Sequence, residues 1–452
     1  MLRKKDKNIV IFGLGETGNS AIKYFLKEKN KIIAWDDNQV IRKKIKRKFS
    51  TIKIKNLKNL NWKEIYFVLV SPGISLKNEL LKDLKKFNIP IYRDLEIFSR
   101  KVDSEKIISV TGTNGKSTTV SLIGNMILFN SKKVFIGGNL KPPLFDGLKH
   151  NSFSKYVIEL SSFQLESAPS FNSYISILLN IHEDHTDRYK NLAIYTSQKK
   201  KIFKNLRSDQ YAVIGIDDPR SFRIYNKIKN KSKNVIPISI NKKLKKGIFF
   251  LNNQIIDNFF KKQKININQQ EKKFSIKNNK KNILATYVVS KILNYNKNIF
   301  LKSIINFKPL KHRSEIIYNS RKLKIINDSK ATNLSSAINS IKPYKGIHLI
   351  MGGKSKHKNY KDLKFLKNRI RKIYLIGQSS NYIYKQLKNT FNCEECKIME
   401  TALRKCFKDL KKFKNKSIIL LAPGCSSFDQ YRNFIERGQN FSNLSKKIFK
   451  GI

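Results

Sequence analysis

Residues 111–118, Thr-Gly-Thr-Asn-Gly-Lys-Ser-Thr, hold the side chains and glycines best suited to bind phosphate. The glycines allow the backbone to curl so that its N–H groups point inward, toward phosphate oxygens. Lys116 can reach terminal phosphate oxygens, and the Ser117 hydroxyl can ligate Mg²⁺. The generic motif has a glycine five positions before Gly115, where this chain has Val110. The segment therefore predicts a variant ATP-binding loop.

A second glycine-rich turn, Gly13–Gly18, follows the apolar run Ile9–Phe12, and Asp36 ends the next run. This arrangement is typical of dinucleotide-binding units. The N–H groups of such a turn bind any diphosphate, so a nicotinamide dinucleotide and a sugar nucleotide both remain open. The turn Ser71–Ile74 is expected to line the same crevice.

Further polar clusters follow apolar runs at residues 159–166, 180–189, 327–333 and 422–431. Glu159, at the end of its run beside the phosphate loop, is well placed to hold Mg²⁺ through oxygen ligation. The histidines and aspartates of 180–189 would also suit zinc, but phosphoryl transfer favours Mg²⁺.

The elements that must position these clusters are short apolar runs, each followed by a polar turn and a helical stretch. This order indicates an α/β fold with mostly parallel sheets, in which ligands bind at the carboxyl ends of strands. Residues 240–281 suggest a small β excursion or surface loops. The predicted strands are Ile9–Phe12, Ile32–Trp35, Phe67–Val70, Ile107–Val110, Tyr156–Ile158, Ile175–Leu179, Ala212–Ile214, Lys324–Ile326, Ile347–Met351, Ile373–Ile376 and Ile418–Leu421.

The length of 452 residues suggests about three domains, with boundaries near residues 104 and 309. No apolar run approaches the roughly 18 to 20 residues that span a bilayer, and the start of the chain has no signal-peptide pattern. We therefore expect a cytoplasmic protein with reduced cysteines. Cys393 and Cys396 have the spacing of half a zinc site, but the sequence offers no second half.

The net charge of +61 allows an alternative, a basic nucleic-acid-associated NTPase. Lysine is spread over almost every polar stretch, so a compositional bias explains the charge better than a binding stripe. A dehydrogenase is a second alternative, motivated by Gly13–Gly18 and Asp36, but it leaves Lys116 unexplained.

The motifs taken together resemble those of the Mur ligase family, essentially from end to end of the chain. Residues 111–118 look like the family's ATP loop, which accounts for Val110. The D-glutamate-adding members are the most similar. Their characteristic motifs are matched by Glu159-Leu-Ser-Ser-Phe-Gln-Leu-Glu166, Glu183-Asp-His185-Thr-Asp-Arg-Tyr189, Asn327-Asp-Ser-Lys-Ala-Thr-Asn333 and Ser427-Phe-Asp-Gln430.

The resemblance implies three domains. These are a Rossmann-like UDP-sugar-binding domain (1–104), a central P-loop ATPase-like domain with a mostly parallel sheet (105–309) and a Rossmann-like amino-acid-binding domain (310–452). It implies a ligase of peptidoglycan precursor synthesis that uses ATP to add D-glutamate to UDP-N-acetylmuramoyl-L-alanine through an acyl phosphate. It further implies two Mg²⁺ sites, a monomer in the cytoplasm, no obligate nucleic acid and no membrane insertion.

The resemblance also assigns residues to the phosphoryl-transfer site. Lys116, His185 and Lys199 would be catalytic, and Lys199 would be carbamylated, although Lys200 and Lys201 beside it leave the register open. The metal ligands would be Ser117, Glu159 and His185. The ATP contacts would be Gly112, Thr113, Asn114, Gly115, Lys116, Ser117, Thr118, Asn279, Asn282, Arg313 and Asp328.

The remaining assignments concern the two other substrates. The UDP-muramoyl contacts would be Glu16, Thr17, Asp36, Ser71, Asn139, Ser161 and Gln164. The D-glutamate contacts would be Lys330, Thr332, Lys356, Ser427 and Phe434. The chain departs from the family pattern in two places: Lys354 replaces a frequent aspartate after Gly352-Gly353, and Lys141 stands where the family usually has glycine.

Overall fold

A computed structural model describes residues 7–82, 84, 86–149, 152–184, 188–267, 276–356, 359–410 and 416–449. It is an α/β structure with three sheets, most of whose strands run parallel, which confirms the predicted fold class. The described helices include none long and apolar enough to cross a bilayer. The chain forms two compact units. The larger contains the first two sheets and comprises Met1–Ile181, Ala193–Glu271 and Lys280–Phe307; the smaller contains the third and comprises His182–Leu192, Lys272–Asn279 and Lys308–Ile452.

The first sheet has the strand order β3-β2-β1-β4-β5, and all its strands are parallel. Its central strands are mostly apolar because their side chains are buried on both faces of the sheet. The strands are Asn8–Phe12 (β1), Ile32–Trp35 (β2), Lys53–Ile54 (β3), Ile65–Val70 (β4) and Ile91–Tyr92 (β5). The helices are Glu16–Lys27 (α1), Gln39–Lys48 (α2) and Asp94–Ser99 (α3).

The second sheet has nine strands in the order β14-β13-β12-β11-β10-β9-β6-β8-β7. It is parallel from β7 to β12, and β12, β13 and β14 are antiparallel. These last strands are the β excursion predicted in residues 240–281, of which 268–275 lie outside the described residues. The strands are Ile107–Thr111 (β6), Val134–Gly138 (β7), Lys155–Glu159 (β8), Ile175–Leu178 (β9), Tyr211–Gly215 (β10), Val235–Ser239 (β11), Ile248–Leu251 (β12), Gln254–Asp257 (β13) and Gln263–Asn266 (β14). The helices are Lys116–Phe129 (α4), Leu144–Gly147 (α5), Ser162–Leu165 (α6), Leu192–Lys200 (α7), Pro219–Ile228 (α8), Ile276–Ile292 (α9) and Lys297–Ile305 (α10).

The third sheet has the order β15-β16-β20-β17-β18-β19, and only the β15–β16 pair is antiparallel among its described strands. Buried aliphatic side chains on both faces form its core. The strands are Glu315–Asn319 (β15), Leu323–Asn327 (β16), Ile347–Gly352 (β17), Ile370–Ile376 (β18), Cys393–Lys397 (β19) and Ser417–Leu421 (β20). The helices are Leu334–Ile341 (α11), Ser380–Leu387 (α12), Met399–Leu410 (α13) and Phe434–Ile448 (α14).

Every predicted strand forms, with ends that differ by a few residues. The domain limits at 104 and 309 stay predictions. All four cysteines are free. Cys393 and Cys396 lie in β19, and burial raises the pKa of the Cys393 thiol to about 12.

Candidate functional site

The predicted phosphate loop connects β6 to α4, between Thr111 and Lys116. Gly115 has a φ of +88°, and a Cβ there would lie 2.6 Å from Oδ1 of Asn282. Both the left-handed backbone and the close approach of Asn282 therefore require glycine. The backbone N–H of Thr113 donates to the carbonyl of Asn180, 2.9 Å away, just beyond the end of β9.

Two asparagines fix the middle of this loop to the end of β9. The backbone N–H of Asn114 donates to Oδ1 of Asn180 at 2.9 Å, and Nδ2 of Asn180 donates back to the Asn114 carbonyl at 3.0 Å. The reciprocal pair satisfies backbone groups that a curled loop leaves without helix or sheet partners. Sequence reasoning placed Asn180 only in a polar cluster, because nothing local in the sequence indicates this pairing.

The structure brings together Lys116, Ser117 and Glu159. Nζ of Lys116 donates to the carbonyls of Gly112 and Thr113, each at 2.9 Å. The Ser117 hydroxyl donates to the Glu159 carboxylate, whose Oε1 also accepts from Nδ2 of Asn139 at 2.8 Å. Ser117 and Glu159 are both buried. Their oxygens are hard ligands of the type that Mg²⁺ prefers, so this pair fits the predicted metal site.

Lys199 lies beneath the same loop and is fully buried. Its Nζ donates to the Gly112 carbonyl at 2.9 Å and lies 4.8 Å from the centre of the Tyr195 ring. Of the neighbouring lysines, Lys200 is exposed and Lys201 donates to the Glu166 carbonyl at 2.9 Å. Among these lysines, the contact with the loop therefore favours Lys199 for the predicted role.

Two of the predicted ATP contacts, Asn279 and Asn282, lie in α9. Asn282 is buried, and its Oδ1 accepts from the Thr119 hydroxyl at 3.2 Å, in the first turn of α4. Asn279 lies in the first turn of α9 and belongs to the smaller unit. Asn282 therefore helps to position the start of α4, in addition to any contact with ATP.

A cavity of about 440 Å³ lies in the larger unit. The turns that follow β1, β2, β4 and β7 form most of its wall. Most of the residues predicted for the UDP-muramoyl substrate line it, namely Glu16, Thr17, Asp36, Ser71, Asn139 and Gln164. Acidic Asp37 and basic Lys141 also line it, and sequence reasoning assigned neither of them to a ligand.

Asp36 holds the glycine-rich turn that forms one wall. Its Oδ2 accepts from the backbone N–H of Leu14 at 2.7 Å and its Oδ1 from that of Asn38 at 2.9 Å. The indole Nε1 of Trp35 donates to Oδ1 of Asp37 at 3.2 Å, and the Arg42 guanidinium stacks 4.2 Å above the Trp35 ring. The carboxylates of Asp36 and Asp37 thus accept hydrogen bonds from backbone N–H groups and from the Trp35 indole, respectively.

Ser161 and Gln164 form a capping box at the start of α6. Oε1 of Gln164 accepts from the Ser161 backbone N–H at 3.1 Å, and its Nε2 donates to Oδ2 of Asp94 at 2.8 Å. Asp94 is completely buried, and this burial raises the pKa of its carboxyl. Hydrogen bonds to Ser161 and Asp94 therefore fix the orientation of the Gln164 side chain at the cavity.

Arg93 holds the opposite wall. Its buried guanidinium donates to the carbonyls of Ser71 and Ile74 at 2.8 and 3.0 Å, and to Oε2 of Glu166 at 3.0 Å. Adjacent residues 93 and 94 thus fix the turn after β4 and the helix after β8. Sequence reasoning missed both, because a charged pair next to a short edge strand usually lies in solvent.

In the smaller unit, the loops 312–315 and 327–333 pack together. The backbone N–H of Lys330 donates to the His312 carbonyl at 3.0 Å. Asp328 accepts from the Ser340 hydroxyl and, at 3.3 Å, from that of Ser314. Burial raises the pKa of the Asp328 carboxyl, and the nearby Arg313 charge opposes this rise. The structure thus brings together the predicted ATP contacts Arg313 and Asp328.

The predicted D-glutamate residues come from three segments of the smaller unit. Nζ of Lys330 lies 3.9 Å above the Phe434 ring, and Thr332 follows in the same loop as Lys330. Lys356 pairs with Asp184 at 3.5 Å. Ser427 is buried in the loop after β20.

A buried arginine at the start of α14 joins two of these loops. The guanidinium of Arg437 donates to the carbonyl of Ser329 at 2.9 Å and to that of Cys425 at 3.1 Å. Burial lowers the pKa of the Arg437 guanidinium to about 10. Sequence reasoning did not find this residue, since a lone arginine in an amphipathic helix ordinarily indicates a solvent-facing position.

His185, predicted to be catalytic and metal-binding, lies outside the described residues. Within the described part of the chain, no group of three or more histidine, cysteine, aspartate or glutamate side chains could hold a metal ion. Both predicted Mg²⁺ sites and the carbamylated lysine therefore stay predictions.

Comparisons with known proteins assign this arrangement to a family. Residues 7–93 match the family model described as the N-terminal domain of MurD-like Mur ligases, and residues 110–296 match that of the Mur ligase middle domain. UDP-N-acetylmuramoylalanine–D-glutamate ligase of Rickettsia prowazekii (strain Madrid E) is 38% identical over 449 residues, with 98% of each chain covered. The enzyme of that name from Rickettsia bellii (strain RML369-C) is 37% identical over 445 residues, with 97% of each covered.

Solved structures share the fold at lower identity. UDP-N-acetylmuramate–alanine ligase from Thermotoga maritima has a TM-score of 0.60 at 17% identity, and the match covers 98% of this chain and 99% of the other. MurF ligase from Thermotoga maritima in complex with ADP has a TM-score of 0.60 at 15% identity, with 98% of each chain covered. The chain belongs to the Mur ligase family, on the branch of the UDP-N-acetylmuramoylalanine–D-glutamate ligases.

Proposed function

We propose that this protein uses ATP to join D-glutamate to UDP-N-acetylmuramoyl-L-alanine, a step of peptidoglycan precursor synthesis in the cytoplasm. Family membership supports the ligase class, and the names of the full-length relatives support the substrates. The observation that carries the proposal is the contact of Ser117 and Glu159 beside the Lys116 loop. We further propose that the protein acts as a monomer and needs no nucleic acid.

The reaction has two chemical steps. The alanine carboxylate of the UDP-linked substrate attacks the γ-phosphorus of ATP, which forms an acyl phosphate and releases ADP. The neutral amine of D-glutamate then attacks the acyl carbon, and the collapse of the tetrahedral intermediate expels phosphate and forms the amide. Both steps develop negative charge on phosphate oxygens, which preorganised cations and N–H donors stabilise.

Lys116 supplies a cation for the first step. Its ammonium group already lies over the loop carbonyls, so it can turn to the γ-phosphate without a large rearrangement. Ser117 and Glu159 would hold Mg²⁺, and the bound ion would neutralise phosphate charge. Asn139 orients the Glu159 carboxylate from the other side. The assigned roles of His185 and of a carbamylated Lys199 belong to the same proposal.

For D-glutamate, we propose the group Lys330, Thr332, Lys356, Ser427 and Phe434. An amino acid with two carboxylates suits ammonium groups and hydroxyls. Lys356 and Lys330 provide the positive charges, and the Phe434 ring holds the Lys330 ammonium in place by a cation–π contact.

Phosphate release from ATP, with Mg²⁺ and UDP-N-acetylmuramoyl-L-alanine present, tests the proposal. D-Glutamate should stimulate release, whereas L-glutamate, meso-diaminopimelate and L-lysine should not. Lys116→Ala and Glu159→Ala should abolish the stimulated rate while circular dichroism shows an intact fold. Preference for another amino acid would refute the D-glutamate assignment and leave the ligase class standing. Full activity of either variant would remove phosphoryl transfer from this loop.

A further inference from the structure

The cavity of the larger unit has an unusual charge distribution for a diphosphate site. Its wall contains the carboxylates of Glu16, Asp36 and Asp37. Among the described residues that line it, Lys141 is the one basic side chain. A nucleoside diphosphate entering this cavity meets carboxylates that repel it, so its binding depends on compensating positive charge.

Part of that compensation comes from the backbone. Gly15 is the N-cap of α1, and no side-chain hydrogen bond caps this helix. The first-turn N–H groups therefore remain suited to an anion. Both oxygens of Asp36 accept backbone N–H groups, which disperses its charge. Glu16 is different, because its carboxylate pairs with the Lys141 ammonium across the cavity.

Lys141 is presented by a short loop that is fixed at both ends. The backbone N–H of Gly138 donates to the Pro142 carbonyl, and that of Asn139 donates to the Glu159 carbonyl, each at 2.9 Å. The Lys141 side chain itself remains 69% exposed and that of Glu16 58% exposed. An ion pair this exposed contributes little to stability, and Lys141 can therefore exchange its partner at small cost.

We propose that Lys141 binds the diphosphate of the nucleotide substrate. When the substrate enters, the Lys141 ammonium leaves the Glu16 carboxylate and pairs with the diphosphate. The inference rests on the proposed function, which supplies a uridine diphosphate ligand for this cavity. The diphosphate carries more negative charge than the Glu16 carboxylate, so it attracts the Lys141 ammonium more strongly. The resemblance assigned Lys141 to no ligand, and this contact adds it to the binding residues Glu16, Thr17, Asp36 and Ser71.

Calorimetric titration of the full chain with UDP and with uridine tests this inference. Lys141→Gln should weaken UDP binding about tenfold or more and leave uridine binding unchanged, because only UDP carries the diphosphate. The UDP affinity of the variant should also depend less on salt concentration. Lys101→Gln, at an exposed lysine outside the cavity wall, is the matched control.

The outcomes separate this inference from the proposed function. If the unaltered protein binds UDP and Lys141→Gln binds it equally well, the role of Lys141 is refuted and the ligase proposal stands. If the unaltered protein binds no UDP, both are refuted for this cavity. Weaker binding by Lys101→Gln to the same extent would show a general effect of surface charge and would also overturn the assignment.

Discussion

Burying a lysine amine beneath a phosphate loop costs free energy, unless a partner or a chemical change of the amine compensates for the lost hydration. Lys199 is in this position, with its Nζ 2.9 Å from the Gly112 carbonyl. The resemblance to the family left open which of Lys199, Lys200 and Lys201 would carry the carbamate. The helical period of α7 favours Lys199 over Lys200, because it buries Lys199 and leaves Lys200 in solvent.

We expect Lys199→Ala to be inactive in phosphate release because it removes the group predicted to be carbamylated. Short carboxylates added to the assay should restore part of the activity by replacing the lost carbamate. Lys200→Ala is the control, and its rate should stay close to that of the unaltered protein. Normal activity of Lys199→Ala would refute a catalytic role for this lysine.

His348 provides a second prediction at this scale. It is fully buried in β17, and its Nδ1 lies 3.0 Å from the Tyr374 hydroxyl. Burial, assisted by the charge of Arg371, lowers the pKa of His348 to about 4. An unfolded histidine titrates near pH 6.5, so the unfolded state binds the proton first as the pH falls. This residue's contribution to the free energy of unfolding is therefore present above about pH 6.5 and is lost toward pH 4.

Between pH 7 and pH 5 the contribution of His348 to the free energy of unfolding should fall by about 2 kcal/mol. His348→Gln keeps a polar side chain that can hydrogen-bond to the Tyr374 hydroxyl, which itself donates to Asp409. Glutamine does not titrate, so between pH 7 and pH 5 the free energy of unfolding of the variant should fall by about 2 kcal/mol less than that of the unaltered protein. Urea unfolding followed by circular dichroism at several pH values measures the difference. Parallel pH profiles for the two proteins would contradict the prediction.

At the scale of elements, the segment Arg93–Asp94 connects a turn of the first sheet to a helix of the second. Arg93→Met leaves the Glu166 carboxylate, only 14% exposed, without this cation. Removing one partner of a buried ion pair typically costs about 3–5 kcal/mol, so we expect a loss of that size in the free energy of unfolding. Arg207→Met removes half of an exposed pair with Asp209 and should cause little measurable change. Similar stabilities of the two variants would refute a structural role for Arg93.

The predicted strands have a side-chain pattern that is complete within one segment, although β7 and β11, which are also mostly apolar, were not predicted. β6 and β17 are buried on both faces and consist mostly of apolar residues, apart from Ser109 and Thr111 in β6 and His348 in β17. β3 and β5 are short edge strands, and β19 contains glutamates and lysine, so no such run marks them. Contacts between distant segments were also missed. Asn114–Asn180 and Arg93–Glu166 join residues more than sixty positions apart, and neither partner alone indicates the other.

For the molecule as a whole, the charge of +61 needs an interpretation that is compatible with a ligase. Excess lysine attracts polyanions without sequence preference, and salt weakens that attraction. We therefore expect DNA and RNA to leave ATP turnover at its background rate at physiological ionic strength when UDP-N-acetylmuramoyl-L-alanine is absent. A several-fold stimulation by either nucleic acid would instead favour the nucleic-acid-associated NTPase.

The neighbours of Trp35 have a practical consequence for experiments on the whole protein. The chain contains two tryptophans, Trp35 and Trp62, and both belong to the larger unit. The Trp35 indole donates a hydrogen bond to Asp37 in the cavity wall and lies under the Arg42 guanidinium. A ligand that changes the charge around Asp37 will change the field on that indole and so its emission. The intrinsic fluorescence of the protein is therefore an internal optical sensor for this cavity, and it needs no attached dye.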